Sequence, residues 1–256
     1  MIVLFSDVHA NLEAFQALLK QVDSSDECFC AGDIVGYGPN PNECCEIMRE
    51  RDIPCVMGNH DFVCANLDRL AEGDDLLSEE DKALCRRMYD EKNTVAQISS
   101  RWTNRVLTEE NKEYIRGLPL KIDAHGITIV HGKPGARYQM LNEYVMPGEA
   151  TAELTEHIEG HMLVIGHSHL PMRTTYVTNP GSVGQPRDRN WKGCFATVDP
   201  VRFKFRYIRN GELSFHAVSQ LINIYRFPYD IGATIQKIKD EAELPDTLGD
   251  RLTVGL

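Results

Sequence analysis

Residues 1–9 read Met1-Ile-Val-Leu-Phe-Ser-Asp7-Val-His9, and two later stretches follow the same grammar. They are Glu27-Cys-Phe-Cys-Ala-Gly-Asp33 and Ile53-Pro-Cys-Val-Met-Gly-Asn-His-Asp61. Each is a short, mostly apolar run that stops at residues able to ligate a cation. Short apolar runs without alternation suit strands buried on both faces. Between the runs lie helical patterns. Asn11 caps a segment whose Leu12, Phe15, Leu18 and Leu19 recur at helical spacing, and Pro41 to about Arg51 gives a second helix. Strand, helix, strand, helix, strand is a parallel α/β unit with right-handed crossovers. The loops after all three strands then open on one edge of the sheet, where α/β folds place their sites.

Outward from this unit the character changes. The stretch from Phe62 to Gly117 is charged and poor in β-branched runs, with helical patterning over Glu79–Asp90 and Thr94–Val106. It reads as a helical cap inserted at about residues 62–117 into a single domain spanning 1–256. Strand patterns return at Leu120–Ala124, Ile127–Val130, Met162–Ile165, Thr174–Thr178, Cys194–Val198 and Phe203–Ile208. Asp199-Pro200 and Asn210-Gly211 mark hairpin turns. Helices are predicted across Gly148–Ile158 and Ile231–Glu241, followed by a tail without a clear pattern.

Composition narrows the function classes. The 256 residues carry 27 Lys plus Arg against 38 Asp plus Glu, a net charge of −11. That field disfavours long nucleic acids and membrane surfaces as partners. No apolar run approaches the roughly 18 residues of a membrane span, and the N-terminal run has no basic start, so a cytoplasmic location is expected. Seven of the eight cysteines precede residue 90, and none forms a C-x-x-C pair. Reduced, buried thiols are expected.

The informative residues gather at five strand ends. They are Asp7-Val-His9, Gly32-Asp33, Gly58-Asn59-His60-Asp61, His131-Gly132 and Gly166-His167-Ser168-His169. Each cluster alone is weak. Together they hold five of the nine histidines beside Asp7, Asp33 and Asn59, whereas His125, His157, His161 and His216 lack such partners. A mixed oxygen and nitrogen donor set without thiolate suits Mn²⁺, Fe²⁺, Zn²⁺ or Co²⁺ and argues against a structural zinc site. Eight positions exceed the needs of one ion. Two ions about 3.5–4 Å apart, sharing a carboxylate, would use them, lower the pKa of a water and polarise a phosphoryl group.

In order and spacing these blocks resemble the calcineurin-like metallophosphoesterase superfamily, whose pattern is D-x-H, G-D, G-N-H-D/E, an isolated H, and G-H-x-H. Asn179-Pro-Gly-Ser182 followed by Val183-Gly-Gln-Pro-Arg187 resembles its small bacterial and archaeal phosphodiesterase-like branch. The resemblance implies a four-layer α-β-β-α sandwich of two mixed sheets. It implies two divalent transition-metal ions, Mn²⁺ first and Fe²⁺, Zn²⁺, Co²⁺ or Ni²⁺ as alternatives. Asp7, His9 and His169 would hold one ion, Asn59, His131 and His167 the other, and Asp33 would bridge them.

By the same resemblance His60 would bind substrate and protonate the leaving oxygen, while Asp61 would either orient His60 or cap a helix. Asn59 and His60 would also touch the substrate. Arg137 and Arg187 are candidate phosphate ligands, each with a surface salt bridge as the alternative. The family's protein phosphatases read Gly-Asp-x-x-Asp-Arg-Gly in the second block. Here Gly36 and Tyr37 stand in place of the second Asp and the Arg. That moves the expectation from phosphoproteins to small phosphate esters, hydrolysed by metal-bound hydroxide. Phosphodiesters lead, with phosphomonoesters or a non-catalytic metal-binding scaffold as alternatives. Tyr37 would stack on a base or simply pack.

Overall fold

The computed structural model describes all residues except 74, 76, 90–93, 151, 157, 159–161, 175 and 200–220. Two mixed sheets face each other. The first has four strands in the order β2-β1-β8-β9, with β1 Ile2–Phe5, β2 Glu27–Cys30, β8 Gly193–Val198 and β9 Ile222–Phe227. The second runs β3-β4-β5-β7-β6, with β3 Lys121–Ala124, β4 Ile127–Val130, β5 Met162–Val164, β6 Met172–Arg173 and β7 Val177–Asn179. Parallel pairs β1·β2, β4·β5 and β5·β7 sit among antiparallel neighbours.

Alternation along β1 shows how the layers form. Ile2 and Leu4 point into the core between the sheets, with Phe29, Ile127, Ile129, Met162 and Val164. Val3 and Phe5 point the other way, onto Phe15 and Leu18 of α1 (Leu12–Leu19) and Cys44, Cys45 and Met48 of α2 (Pro41–Glu50). The far face of the second sheet is covered by a thinner layer, including α7 (Arg137–Asn142) and the 3₁₀ turns Pro147–Glu149 and Ala152–Thr155. The four-layer sandwich is therefore present.

Several elements differ from the sequence expectation. Ile53–Met57 makes only an isolated bridge, Cys30 to Cys55, and is not a ladder strand. Pro54 has no N–H to give a ladder. The helix expected across Gly148–Ile158 is two 3₁₀ turns, and of the strand expected at Thr174–Thr178 only Val177 and Thr178 are extended, at the start of β7, which pairs with β6. The expected strand Phe203–Ile208 and turn Asn210-Gly211 lie outside the described residues, as do Pro200, His157, His161 and His216.

The helical segment begins earlier than expected. Helix α3 (Asn59–Glu72) starts inside the third cluster, and α4 (Glu79–Tyr89), α5 (Val95–Val106) and α6 (Glu109–Arg116) follow. Asn42 on α2 bonds Val106, Thr108 and Asn111, which pins this segment to the core. Two helices close the chain, α8 (Ile231–Asp240) and α9 (Thr247–Val254), the second in what reads as a patternless tail. Trp102 of α5 packs with Ile238, Leu248 and Leu252 of these helices and with Tyr37. All eight cysteines are free, and seven are buried. Among the described residues no helix is long and apolar enough to cross a membrane.

Candidate metal centre

The five strand-end clusters converge. Asp7, His9 and His169 bring ligand atoms within 4.8 Å of one another, and so do Asp33, His131 and His167; all six residues are buried. The Asp33 Oδ2 atom joins the groups, lying 3.6 Å from His9 Nε2 and 3.3 Å from His131 Nε2. Asn59 Oδ1 sits 3.1 Å from His131 Nε2 and so belongs to the second group.

Backbone carbonyls orient the imidazoles. His9 Nδ1 faces Val35 O, His131 Nδ1 faces Ala31 O, and His169 Nδ1 faces Gln185 O. An N–H at each Nδ1 leaves the Nε2 lone pair free to ligate. For His167 the roles reverse, because Nε2 faces Asn142 O at 3.1 Å and leaves Nδ1 as the ligating nitrogen.

Three features of this geometry fit cations. The Nε2 atoms of His9 and His169 approach to 3.1 Å with a lone pair on each, an arrangement that repels unless a positive charge lies between or beside them. Asp7 Oδ2 and Asp33 Oδ2 are buried without a hydrogen-bond partner. Five of the seven candidate ligands (Asp7, His9, Asp33, His167 and His169) have φ between 48° and 64°, a left-handed conformation uncommon for non-glycine residues.

Glycine makes the closest approach feasible. A Cβ on Gly58 would lie 2.1 Å from Asp33 Oδ1, and one on Gly166 would lie 2.0 Å from Ser6 Oγ. The Asn179–Ser182 segment, matched in sequence but given no role there, acts as a buttress. Asn179 Nδ2 donates to Gly166 O and Ser182 Oγ to Asp7 O, tying the first and fifth clusters together.

Burial and proximity set the charges. Burial pushes His60 down to about 4 and His167 to about 3, and holds His9 and His169 well below the usual imidazole range. His131 goes the other way. Burial opposes its protonation, but the charge of Asp33, its Oδ2 3.3 Å from Nε2, raises it to about 9. Burial lifts Asp7 to about 7, with the Asp33 charge adding to the rise and His131 opposing it. In the metal-free protein an imidazolium proton on His131 thus neutralises Asp33.

The remaining sequence candidates fall in different places. His60 lies beside the first group, its ring 5.1 Å from that of His9, and its backbone N–H donates to Asp33 Oδ1. Asp61 does not orient it. The Asp61 carboxylate accepts N–H bonds from Asp33, Val35 and Gly58, so it caps α3 and fixes the Asp33 loop. Arg137 is also not at the site. Its Nε donates to Asp81 Oδ1, and its guanidinium lies over Phe62, because α7 carries it toward α4. Arg187 lies beside the centre, bonded to Gln185 Oε1 and over the Tyr37 ring.

Tyr37 is packing and has no face for a base. It is 8% exposed and wedged between His9 and His60 at ring distances of 4.8 and 4.4 Å. Two contacts carry no signal in the sequence: the Asn142 carbonyl on His167, and Tyr144, whose half-exposed ring stacks on His167 at 3.9 Å. A residue at the end of a short helix and another just past it, with no motif, offer nothing to read.

Comparison with known proteins adds an independent line. The model of the calcineurin-like phosphoesterase superfamily domain matches residues 1–201. The uncharacterized protein MJ0912 of Methanocaldococcus jannaschii is 31% identical over 278 residues, covering 100% of this chain and 98% of that protein. A metallophosphoesterase from Sphaerobacter thermophilus superposes with a TM-score of 0.74 at 28% identity, covering 100% of this chain and 99% of that one. The hypothetical protein PH1004 of Pyrococcus horikoshii has the same fold, with a TM-score of 0.72 at 21% identity over 100% and 99% of the two chains.

Proposed function

From the premise that this chain belongs to the calcineurin-like phosphoesterase superfamily, we propose that it is a dinuclear metal-dependent phosphoesterase acting on small phosphodiesters. The observation that carries the reading is the Asp33 Oδ2 atom, buried, without a hydrogen bond, and within 3.6 Å of a histidine from each group. Asp7, His9 and His169 would hold one ion, Asn59, His131 and His167 the other, with Asp33 between them. Two divalent ions bound there would supply an activated water and neutralise charge on the phosphoryl oxygens. Mn²⁺ is the first choice for a site of carboxylate, amide and imidazole donors.

The protein's own groups set the rest. Gly36 closes under His60 so tightly that a Cβ there would lie 2.7 Å from Nδ1, and Nδ1 has no hydrogen-bond acceptor. The neutral ring therefore carries its proton on Nε2 and donates an N–H hydrogen bond to the leaving oxygen. Adjacent cations lower its basicity further, so it is a fixed donor and not a store of protons. That changes the role expected from the sequence, where His60 protonates the leaving group.

Phosphomonoesters are the second reading, favoured by Arg187 beside the first group. Metal-free protein loaded with Mn²⁺ should bind two ions per chain and hydrolyse bis(p-nitrophenyl) phosphate. Asp33→Ala should lose both properties together. One ion per folded chain, or no release of nitrophenol with Mn²⁺, Fe²⁺, Zn²⁺, Co²⁺ or Ni²⁺, would overturn the proposal. Faster turnover of p-nitrophenyl phosphate would favour the second reading.

A further inference from the structure

Two arginines from distant parts of the chain meet over one ring. The guanidinium carbons of Arg187 and Arg251 both lie 5.7 Å from the Tyr37 ring centre. Tyr37 in turn packs on His9 and His60. Arg251 belongs to α9, beyond residues 1–201 matched by the family model. Helix α9 is held there by Leu248 and Leu252, which pack with Tyr37 and Trp102.

Neither guanidinium meets a carboxylate side chain among the described residues. Arg187 donates to Gln185 Oε1 and keeps a buried, unpartnered Nε, while the neighbouring Asp188 is taken by Arg226. The Nε of Arg251 donates to the Leu256 backbone oxygen, which orients its fork and leaves the two terminal nitrogens for another acceptor. Two guanidinium charges beside one ring repel each other, at a cost in free energy. Burial and the Arg187 charge both push Arg251 below its ordinary value. An anion between the two forks removes that cost and uses the planar geometry that arginine offers phosphate.

We propose that Arg187 and Arg251, gathered over Tyr37 beside the Asp7–His9–His169 group, form an anion subsite for a second phosphate carried on the leaving group of the substrate. The leaving-group side follows from Tyr37, whose ring is 4.4 Å from that of His60. This assignment rests on the proposed function for the identity of the leaving side. The arginine site itself stands on its own geometry.

The test is phosphate binding, read by calorimetry without turnover. Metal-free protein should take up one inorganic phosphate. Mn²⁺-loaded protein should take up two, one at the ions and one at the arginines. Arg251→Gln and Arg187→Gln should each weaken the metal-free site at least tenfold, and Arg251→Lys, which keeps the charge but not the fork, should fall between. Arg49→Gln, which removes a guanidinium paired with Glu110 on the surface, should change nothing and so controls for net charge. No saturable phosphate binding by the metal-free protein, or full binding by folded Arg251→Gln, overturns the subsite. Failure of the Mn²⁺-loaded protein to hydrolyse any ester would instead overturn the phosphoesterase reading and leave these binding results standing.

Discussion

Replacing Asp61 by Asn separates two roles that a carboxylate beside a site histidine can play. Asp61 Oδ2 accepts from Asp33 N–H at 2.8 Å and Gly58 N–H at 3.1 Å, and Oδ1 accepts from Val35 N–H at 3.1 Å. An asparagine keeps one acceptor oxygen and turns an NH₂ toward the third N–H. The change removes one charge-assisted bond, worth about 1.5–3 kcal/mol, and strands a buried donor at a further cost of about 1–3 kcal/mol. Part returns, because burial and the Asp33 charge already push Asp61 up to about 7, and a neutral side chain relieves that repulsion. A net loss of about 2–3 kcal/mol is expected, a fall of roughly 5–10 °C in melting temperature for a chain of this size. The loop so loosened carries Asp33, held at φ 57°. Mn²⁺ affinity should therefore fall by about 10–100-fold, the usual effect of removing a group that orients a ligand. Thermal melting of the metal-free protein and Mn²⁺ calorimetry read the two quantities. If both are unchanged while the pH profile of kcat moves, Asp61 acts through His60 and the positioning role is wrong.

Three further outcomes follow from the same geometry. His60→Ala should keep both ions and lower kcat by about 10²–10³-fold on an ester with a poor leaving group, the range for one lost donor. His60→Gln should recover most of that loss, and a Gln variant as slow as Ala would show that proton transfer is required. Metal binding should release protons, because His131 at about 9 and Asp7 at about 7 must give theirs up. Mn²⁺ affinity should accordingly rise between pH 6 and about 9, with proton release visible as a dependence of calorimetric heat on buffer ionisation enthalpy. A flat profile would refute the His131–Asp33 pairing. Gly58→Ala places a Cβ 2.1 Å from Asp33 Oδ1 and 2.5 Å from Asp33 N, so folded variant should hold little Mn²⁺. Gly148→Ala, which meets nothing within 4 Å, should load metal like the parent.

The ligands were legible because each sits where a local rule is at its strongest. An apolar run that stops at a donor residue, in most cases beside a glycine, can be read without knowing the partner strand, so Asp7, Asp33, His131 and His167 are legible as a set though each alone is weak. Contacts made by folding could not be read this way. Asp61 reads equally as a partner for His60 or as a helix cap; the cap is what forms, and its further bonds to the N–H groups of Asp33 and Val35, which arrive from another loop, have no local signal. Arg137 lies six residues past His131, close enough in sequence to suggest phosphate, yet one short helix turns it onto Asp81. Ile53–Met57 has the hydrophobicity of a strand but lacks the ladder. Arg251 carries no local signal at all, since its place over Tyr37 exists only once α9 has packed on α5 and α8.

The same accounting explains why the centre reads as built for cations and not merely as a polar pocket. A left-handed residue other than glycine costs about 1–2 kcal/mol, and five candidate ligands adopt that conformation. The lone pairs of His9 and His169 face each other at 3.1 Å, and Asp7 and Asp33 are buried within the reach of the same imidazoles. A fold selected only for stability would relax each of these. The surroundings instead prevent relaxation: carbonyls of Val35, Ala31 and Gln185 lock three rings, Asp61 locks the Asp33 loop, and Ser182 and Asn179 lock the first and fifth clusters. Rigidity that holds repelling donors together lowers the reorganisation needed when a cation arrives, and binding then stabilises the fold by mass action. A protein whose melting temperature did not rise with Mn²⁺ concentration would have the strain without the ligand that accounts for it.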